Sequence, residues 1–281
     1  MEQVTIQFTE NCNLQCSHCY LSCGLQGRTM DKNSLEKVLQ NIPENTKHVV
    51  FTGGEPFVEK DTLMHALYYM RINSILPKAR IHVHTNGFWI KDDISVYRVL
   101  RQLRSFRVSG LVVTSRDSYH KEQGIDTEKL GMHSGSPIFK GLEMLATAVG
   151  ISRTSGRLIR VNVPNARKPL PFGRAKLLPE ESLRNYSECD ARAEKIYNVT
   201  ISPDGNAYPC CWRQTPSIGS AVETPIEVLA EEAKKNEVFA ALIKGGPMKA
   251  AEVLGAYDEK DKARYQANPC VECERIFKDL R

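Results

Sequence analysis

Nine cysteines are the most chemically loaded residues of this 281-residue chain. They stand at 12, 16, 19, 23, 189, 210, 211, 270 and 273, and the stretch 24–188 has none. The N-terminal residues lack the basic region and apolar run of a secretory signal, and nowhere do 18 apolar residues follow one another. The expectation is therefore a cytoplasmic protein with no membrane partner. Thiols stay reduced in that compartment, so clustered cysteines there point to metal binding or catalysis rather than to disulfides.

The first group, Cys12-Asn-Leu-Gln-Cys16-Ser-His-Cys19, offers three thiolates within eight residues. A loop can turn all three inward on one iron-sulfur cluster, and because a four-iron cluster normally takes four protein ligands, three leave one iron open for another molecule. A zinc site is the competing reading, with His18 or Cys23 as its fourth ligand. Three unconnected structural cysteines are a further one. The second group is sparse: Cys189, Cys210, then Cys270 and Cys273 as a CxxC. Four thiolates complete an all-cysteine site, with the CxxC expected to give two of them from one tight turn, and a structural zinc fits this set as well as a cluster does. Cys23 and one of the adjacent pair Cys210 and Cys211 are left over. Neighbours on an extended strand point to opposite sides, which argues against both members of that pair binding one cluster.

These groups need a scaffold. Short β-branched runs at 4–8, 47–52, 80–84, 109–114 and 157–163 read as strands. Helical patterns fall between them at 31–42, with Asp31 as N-cap, at 61–75, at 94–103 and at 138–149. Alternation of this kind implies right-handed βαβ units and a parallel sheet or barrel. After about residue 178 the texture changes to a hairpin around Asp204-Gly205, a helix at 225–244, the break Gly245-Gly246-Pro247 and a charged stretch before the last cysteines.

The C-x3-C-x2-C spacing followed by Tyr20, on the loop after the first strand, resembles the radical S-adenosylmethionine (SAM) superfamily. Gly53-Gly54-Glu55-Pro56 after the second strand resembles that family's GGE element, which contacts the amino group of the SAM methionine moiety. Paired glycines also let a backbone approach a ligand at the C-terminal end of a strand, where parallel α/β folds keep their sites. The resemblance implies SAM and a 4Fe-4S cluster on Cys12, Cys16 and Cys19. It places polar cofactor contacts at Thr85 and Asn86, at Ser115 and Asp117, and at Arg160 and Asn162, where a plain turn or an outward-facing strand residue is the alternative. It implies cleavage of SAM to a 5′-deoxyadenosyl radical that abstracts hydrogen, with the protein aligning the substrate and excluding water.

The hairpin Val199 to Cys210 resembles the Twitch domain, a shortened SPASM auxiliary-cluster domain. On that resemblance Cys189, Cys210, Cys270 and Cys273 hold a second 4Fe-4S cluster, and Cys211 is a spare thiol able to return a hydrogen atom to a carbon radical, against the commoner fate of a buried structural cysteine. Cys23 has a weaker claim to that role. The segment Pro171-Phe172-Gly173-Arg174-Ala175 resembles the bridge between barrel and auxiliary domain in peptide-modifying relatives. The family barrel has six strands where five are visible before Cys189, so the expectation is a truncated barrel or a last strand within 164–179. The chain begins on its first barrel strand, with no separate leader-binding domain before it, so a peptide substrate is expected to be bound by barrel and cap or by a partner.

The resulting expectation is an α/β protein: a partial (β/α) barrel at 1–178 and a small α+β auxiliary iron-sulfur domain at 179–281. Its substrate is a ribosomally made peptide, with Cα epimerisation favoured, or alternatively an aminoglycoside-like small molecule that is oxidised or epimerised. An electron donor such as flavodoxin or ferredoxin is implied as partner. Seven basic side chains and no acidic one between 151 and 179 suit an acidic group or a solvated face equally. A net charge of +5, with no basic run interleaved with aromatics, argues against nucleic acid. A non-catalytic four-cysteine zinc protein is the remote alternative.

Overall fold

The computed structural model describes residues 1–91, 93–113, 118–125, 160–162, 168–169, 171–183 and 198–278. Five strands run parallel: β1 (Gln3–Thr9), β2 (His48–Gly53), β3 (Arg80–Thr85), β4 (Val108–Val113) and β5 (Arg160–Asn162). Helices α1 (Lys32–Gln40), α2 (Lys60–Ile72) and α3 (Asp93–Ser105) fill the crossovers, and the short α4 (Ser118–Glu122) follows β4. Asp31 caps α1 as expected, its carboxylate accepting the Ser34 N–H at 3.0 Å. The architecture is thus a mostly parallel α/β sheet of partial-barrel type. The helix expected at 138–149 lies outside the described residues.

A sixth parallel strand exists, but not where the sequence pointed. The described part of 164–179 holds a 3-10 turn, Gly173–Leu177, and no strand. Instead β6 (Asn198–Ile201) pairs in parallel with β1, Gln3 opposite Asn198 through Ile6 opposite Ile201. From β6 the sheet continues antiparallel through β7 (Asn206–Tyr208) and β8 (Gly219–Ser220), giving the order β5, β4, β3, β2, β1, β6, β7, β8. The hairpin expected in the second unit therefore extends the sheet of the first.

Alternation along the strands divides the sheet into unlike faces. Val4, Ile6 and Phe8, Val49 and Phe51, Ile81 and Val83, Leu111, and Val199 and Ile201 form one apolar core with Leu35, Val38 and Leu39 of α1 and Leu63, Ala66, Leu67 and Met70 of α2. The opposite row is mostly polar, with Thr5, Gln7 and Thr9 on β1, Thr52 on β2, His82 and His84 on β3 and Thr200 on β6, broken by Val50 and Val112. Register puts Arg160 beside Gly110 and Asn162 beside Val112, in the rows of His82 and His84. A parallel sheet covered on both faces reads apolar throughout; a polar inner row marks a side kept for a ligand.

The C-terminal part is helical. The single helix expected at 225–244 is two, α5 (Ile226–Lys235) and α6 (Glu237–Gly245), because the Asn236 side chain accepts the N–H groups of Val238 and Phe239 and starts a new helix. Gly246 at φ 76° and Pro247 then open α7 (Pro247–Val253), followed by α8 (Lys262–Ala267) and α9 (Pro269–Ile276). Among the described residues no helix is long and apolar enough to cross a membrane.

Candidate active site at the C-terminal ends of the parallel strands

The first cysteine group follows β1 directly. Cys12, Cys16 and Cys23 are buried, Cys19 is half-buried, and the four form a compact cluster with Leu14. Backbone N–H groups point at the sulfurs: Leu14 donates to Cys12 Sγ at 3.4 Å and Cys23 to Cys19 Sγ at 3.3 Å. Hydrogen bonds of this kind favour thiolate and help set a cluster's potential, so the donor set fits an iron-sulfur cluster held by the loop. Burial pushes the Cys12 thiol up to about 11. Within the Cys19 and Cys23 pair the hydrogen bond from the Cys23 thiol lowers Cys19, which carries the charge while Cys23 keeps its proton.

The glycine pair after β2 presses onto this loop. Gly54 N–H donates to Thr9 O at 2.7 Å and Glu55 N–H to Asn11 O at 2.9 Å. A side chain on Gly54 would place its Cβ 2.2 Å from Asn11 O, and Gly53 sits at φ +134° with Thr9 O equally close to its missing Cβ, so neither position admits another residue without backbone movement. Glu55 is fully buried. Its carboxylate accepts Phe57 N–H at 3.0 Å, the Thr85 hydroxyl at 2.8 Å and Asn86 N–H at 2.6 Å, while burial raises its pKa to about 7. Asn86 Nδ2 in turn donates to Asn13 Oδ1 at 3.0 Å and lies 3.9 Å from Cys12 Sγ. Thr85, Asn86, Glu55 and the cysteine loop are one connected polar assembly, although the strands that carry them are far apart in sequence.

Other expected positions are distributed unevenly. Ser115, Asp117 and Cys189 lie outside the described residues, and Arg160 and Asn162 are placed by backbone register alone. Cys270 and Cys273 are buried within α9, so the CxxC is part of a helix and not of a tight turn; their three-residue spacing puts them on one side of it. Cys210 and Cys211 do not lie on an extended strand either: β7 ends at Tyr208, and both occupy the turn beyond it. Their difference is burial, Cys210 being buried and Cys211 half-exposed. Tyr20 is held by Gln7 of the inner row, whose Nε2 donates to the Tyr20 hydroxyl at 2.9 Å and to Cys211 O at 3.5 Å. Tyr20 stacks edge-on against Trp212, centroids 4.8 Å apart, and Arg213 pairs with Glu10 at 3.1 Å. The turn carrying Cys211 is thereby anchored beside the first cysteine loop.

Several contributors were not foreseen. His120 of α4 brings its ring to His18 and Cys16, the three ligand atoms lying within 4.8 Å of one another. Gln7 is a polar residue in a strand otherwise read for its apolar alternation, which is the signal that would have singled it out. Of the seven basic residues in 151–179, Lys176 pairs with Glu274 at 2.6 Å and Arg174 turns onto the cysteine loop.

Comparison with known proteins agrees with this geometry. The family model described as the radical SAM superfamily matches residues 6–145. The chain is 24% identical over 223 residues to the putative peptide biosynthesis protein YydG of Bacillus subtilis strain 168, covering 74% of this chain and 68% of that protein. In structure it resembles BtrN in complex with AdoMet and 2-DOIA, with a TM-score of 0.51 and 15% identity over 92% of this chain and 90% of BtrN. It also resembles anSMEcpe with bound AdoMet, with a TM-score of 0.50 and 15% identity over 99% and 96% of the two chains. At such identity the structural likenesses speak for the fold. With three cysteines spaced C-x3-C-x2-C after the first strand, the GGE turn packed on them and the family model covering both, the chain belongs to the radical SAM superfamily, whose members use SAM and a 4Fe-4S cluster.

Proposed function

We propose that this radical SAM enzyme modifies a ribosomally made peptide at an unactivated carbon, and that the modification is epimerisation at Cα with Cys211 as hydrogen donor. The peptide class is supported by the likeness to YydG, a putative peptide biosynthesis protein. The donor role is supported by one observation above the rest: the Cys211 backbone is tied to Gln7, which also holds Tyr20 on the cluster loop. A half-buried cysteine whose backbone is held beside the radical-generating loop, at Gln7 of the inner row, suits hydrogen return to a carbon radical.

In this reading Cys12, Cys16 and Cys19 hold the open cluster, and Tyr20, the Gly53 to Pro56 turn, Thr85, Asn86, Ser115, Asp117, Arg160 and Asn162 line the SAM side. Cys189, Cys210, Cys270 and Cys273 hold a closed auxiliary cluster within a Twitch-like unit at 179–281. When bound, the cluster and SAM supply the carbon-centred radical that removes the substrate hydrogen. The Cys211 S–H bond then breaks, its hydrogen atom forms the new C–H bond on the opposite face, and an electron from a flavodoxin or ferredoxin with a proton from water returns the sulfur to thiol. The polar inner row, with Thr5, Gln7, His82 and His84, receives the peptide backbone; burial holds His84 neutral, lowering its pKa to about 4, so it donates or accepts a hydrogen bond without adding charge.

The test takes synthetic peptides matching short reading frames found beside the enzyme's gene and incubates them in D2O with wild type and with Cys211→Ala. Wild type is expected to place deuterium at one Cα. The variant is expected to cleave SAM and remove the hydrogen without forming the epimer. Unimpaired epimer from Cys211→Ala sinks the donor role.

A further inference from the structure

Arg174 gathers the cysteine loop onto itself. Its backbone N–H donates to Cys19 O at 3.0 Å, its Nε to Cys16 O at 2.9 Å and its Nη2 to Cys23 O at 2.6 Å. One residue thus binds the main-chain carbonyls of three cysteines. The approach depends on the glycine before it: Gly173 has φ +53°, and a Cβ there would stand 2.4 Å from Tyr20 O and 2.6 Å from Cys19 O. On its other side Phe172 is fully buried against Cys270 and Trp212, so the turn is wedged between the first and second cysteine groups.

The charge is as informative as the contacts. Lys176, two residues on, is neutralised by Glu274, whereas among the described residues no carboxylate meets the Arg174 guanidinium. A half-buried cation satisfied by carbonyl oxygens alone is costly unless a negative group completes its surroundings. A four-iron cluster on three thiolates is such a group. Its negative charge grows by one on reduction, and net charge and hydrogen bonding are among the factors that set cluster potentials.

We propose that Arg174 is a positioning residue for the radical-generating cluster: its fork fixes the carbonyls of the ligand loop, and its fixed positive charge favours the reduced cluster. The proposal rests on Cys12, Cys16 and Cys19 as the ligands of that cluster, and it predicts that charge and fork can be separated by substitution.

The experiment is an anaerobic redox titration, followed by EPR, of reconstituted wild type, Arg174→Lys and Arg174→Gln, reading the cluster signal that changes when SAM is added. Arg174→Gln should lower the reduced-to-oxidised ratio at fixed potential about tenfold, a shift of ~59 mV for one electron. Arg174→Lys keeps the charge and should stay near wild type in potential while binding iron less tightly, because it loses the fork. Equal potentials in all three proteins overturn the electrostatic role. Should Arg174→Gln load no cluster, Arg174→Lys decides: reduced iron loading with a near-wild-type potential supports the proposal, and wild-type loading or a reduced-to-oxidised ratio lowered about tenfold overturns it. A SAM-responsive signal that survives Cys12→Ala, Cys16→Ala and Cys19→Ala would instead overturn the ligand assignment.

Discussion

The carboxylate of Glu55 accepts the backbone N–H of Asn86 at 2.6 Å, tying the turn after β2 to the turn after β3. With the Thr85 hydroxyl and Phe57 N–H on its other oxygen, Glu55 is a fully buried acceptor whose role is to hold two loops in register. The Nδ2 of Asn86, directed toward Cys12, makes that residue the relay from the carboxylate to the cluster loop.

Burial raises Glu55 from 4.5 in the unfolded chain to about 7 in the fold. The native state therefore binds the proton more tightly than the unfolded state, and the stability this contributes is complete below pH 4.5 and is lost as pH rises through about 7. Each tenfold change in proton affinity is worth about 1.4 kcal/mol, which makes the loss on the order of 3 kcal/mol. Urea unfolding at pH 5 and pH 8 should show it. Glu55→Gln removes the titration and should flatten that difference, while lowering stability at both values by roughly 1–3 kcal/mol because an amide N–H2 faces buried donors. A variant with the wild-type pH slope would rule Glu55 out as its source.

Gly54→Ala should be poorly tolerated. The added methyl meets Asn11 O at 2.2 Å, backbone that cannot swing aside, so the loop carrying Cys12 must shift. The expected cost is roughly 1–3 kcal/mol in thermal or urea unfolding, together with reduced iron retention after reconstitution. Gly124→Ala is a useful comparison, since nothing lies within 4 Å of its Cβ although its φ of +84° adds local strain. Equal iron retention in the two variants would count against close packing at Gly54.

Replacement of Cys270 and Cys273 together by Ser should lower the iron content of reconstituted protein from roughly eight atoms per chain to roughly four. The SAM-responsive signal should remain. Loss of one zinc with no change in iron would assign the second group to zinc, and no change in either metal would remove its metal role.

The sequence was a good guide wherever local chemistry decides the outcome. Asp31 as cap, the five parallel strands, three of them leading into cysteine or glycine motifs, and the Asp204-Gly205 hairpin all follow from neighbours within a few residues. It was a poor guide where distant segments compete. Nothing in Asn198–Ile201 says that its partner is β1 rather than another strand of a separate unit, because an alternating four-residue run carries no address. The break at Asn236 was hidden by an unbroken helical pattern on both sides. The segment holding Arg174 resembled an inter-domain bridge, but its charge looked like that of six other basic residues; the positive φ at Gly173 and the carbonyls it faces give it its role.

Strand β1 is hydrogen-bonded on both flanks, by β2 and by β6, the latter nearly two hundred residues away in the chain. During synthesis at about 5–20 residues per second, the first strand made waits some 10–40 seconds for its second neighbour, with one ladder edge open throughout. The nascent chain must shield that edge, and a fragment ending near residue 178 would keep it exposed for good. Such long-range pairing also predicts slow maturation, with the sheet sealed late and the cysteine loop completed only after the C-terminal half has arrived.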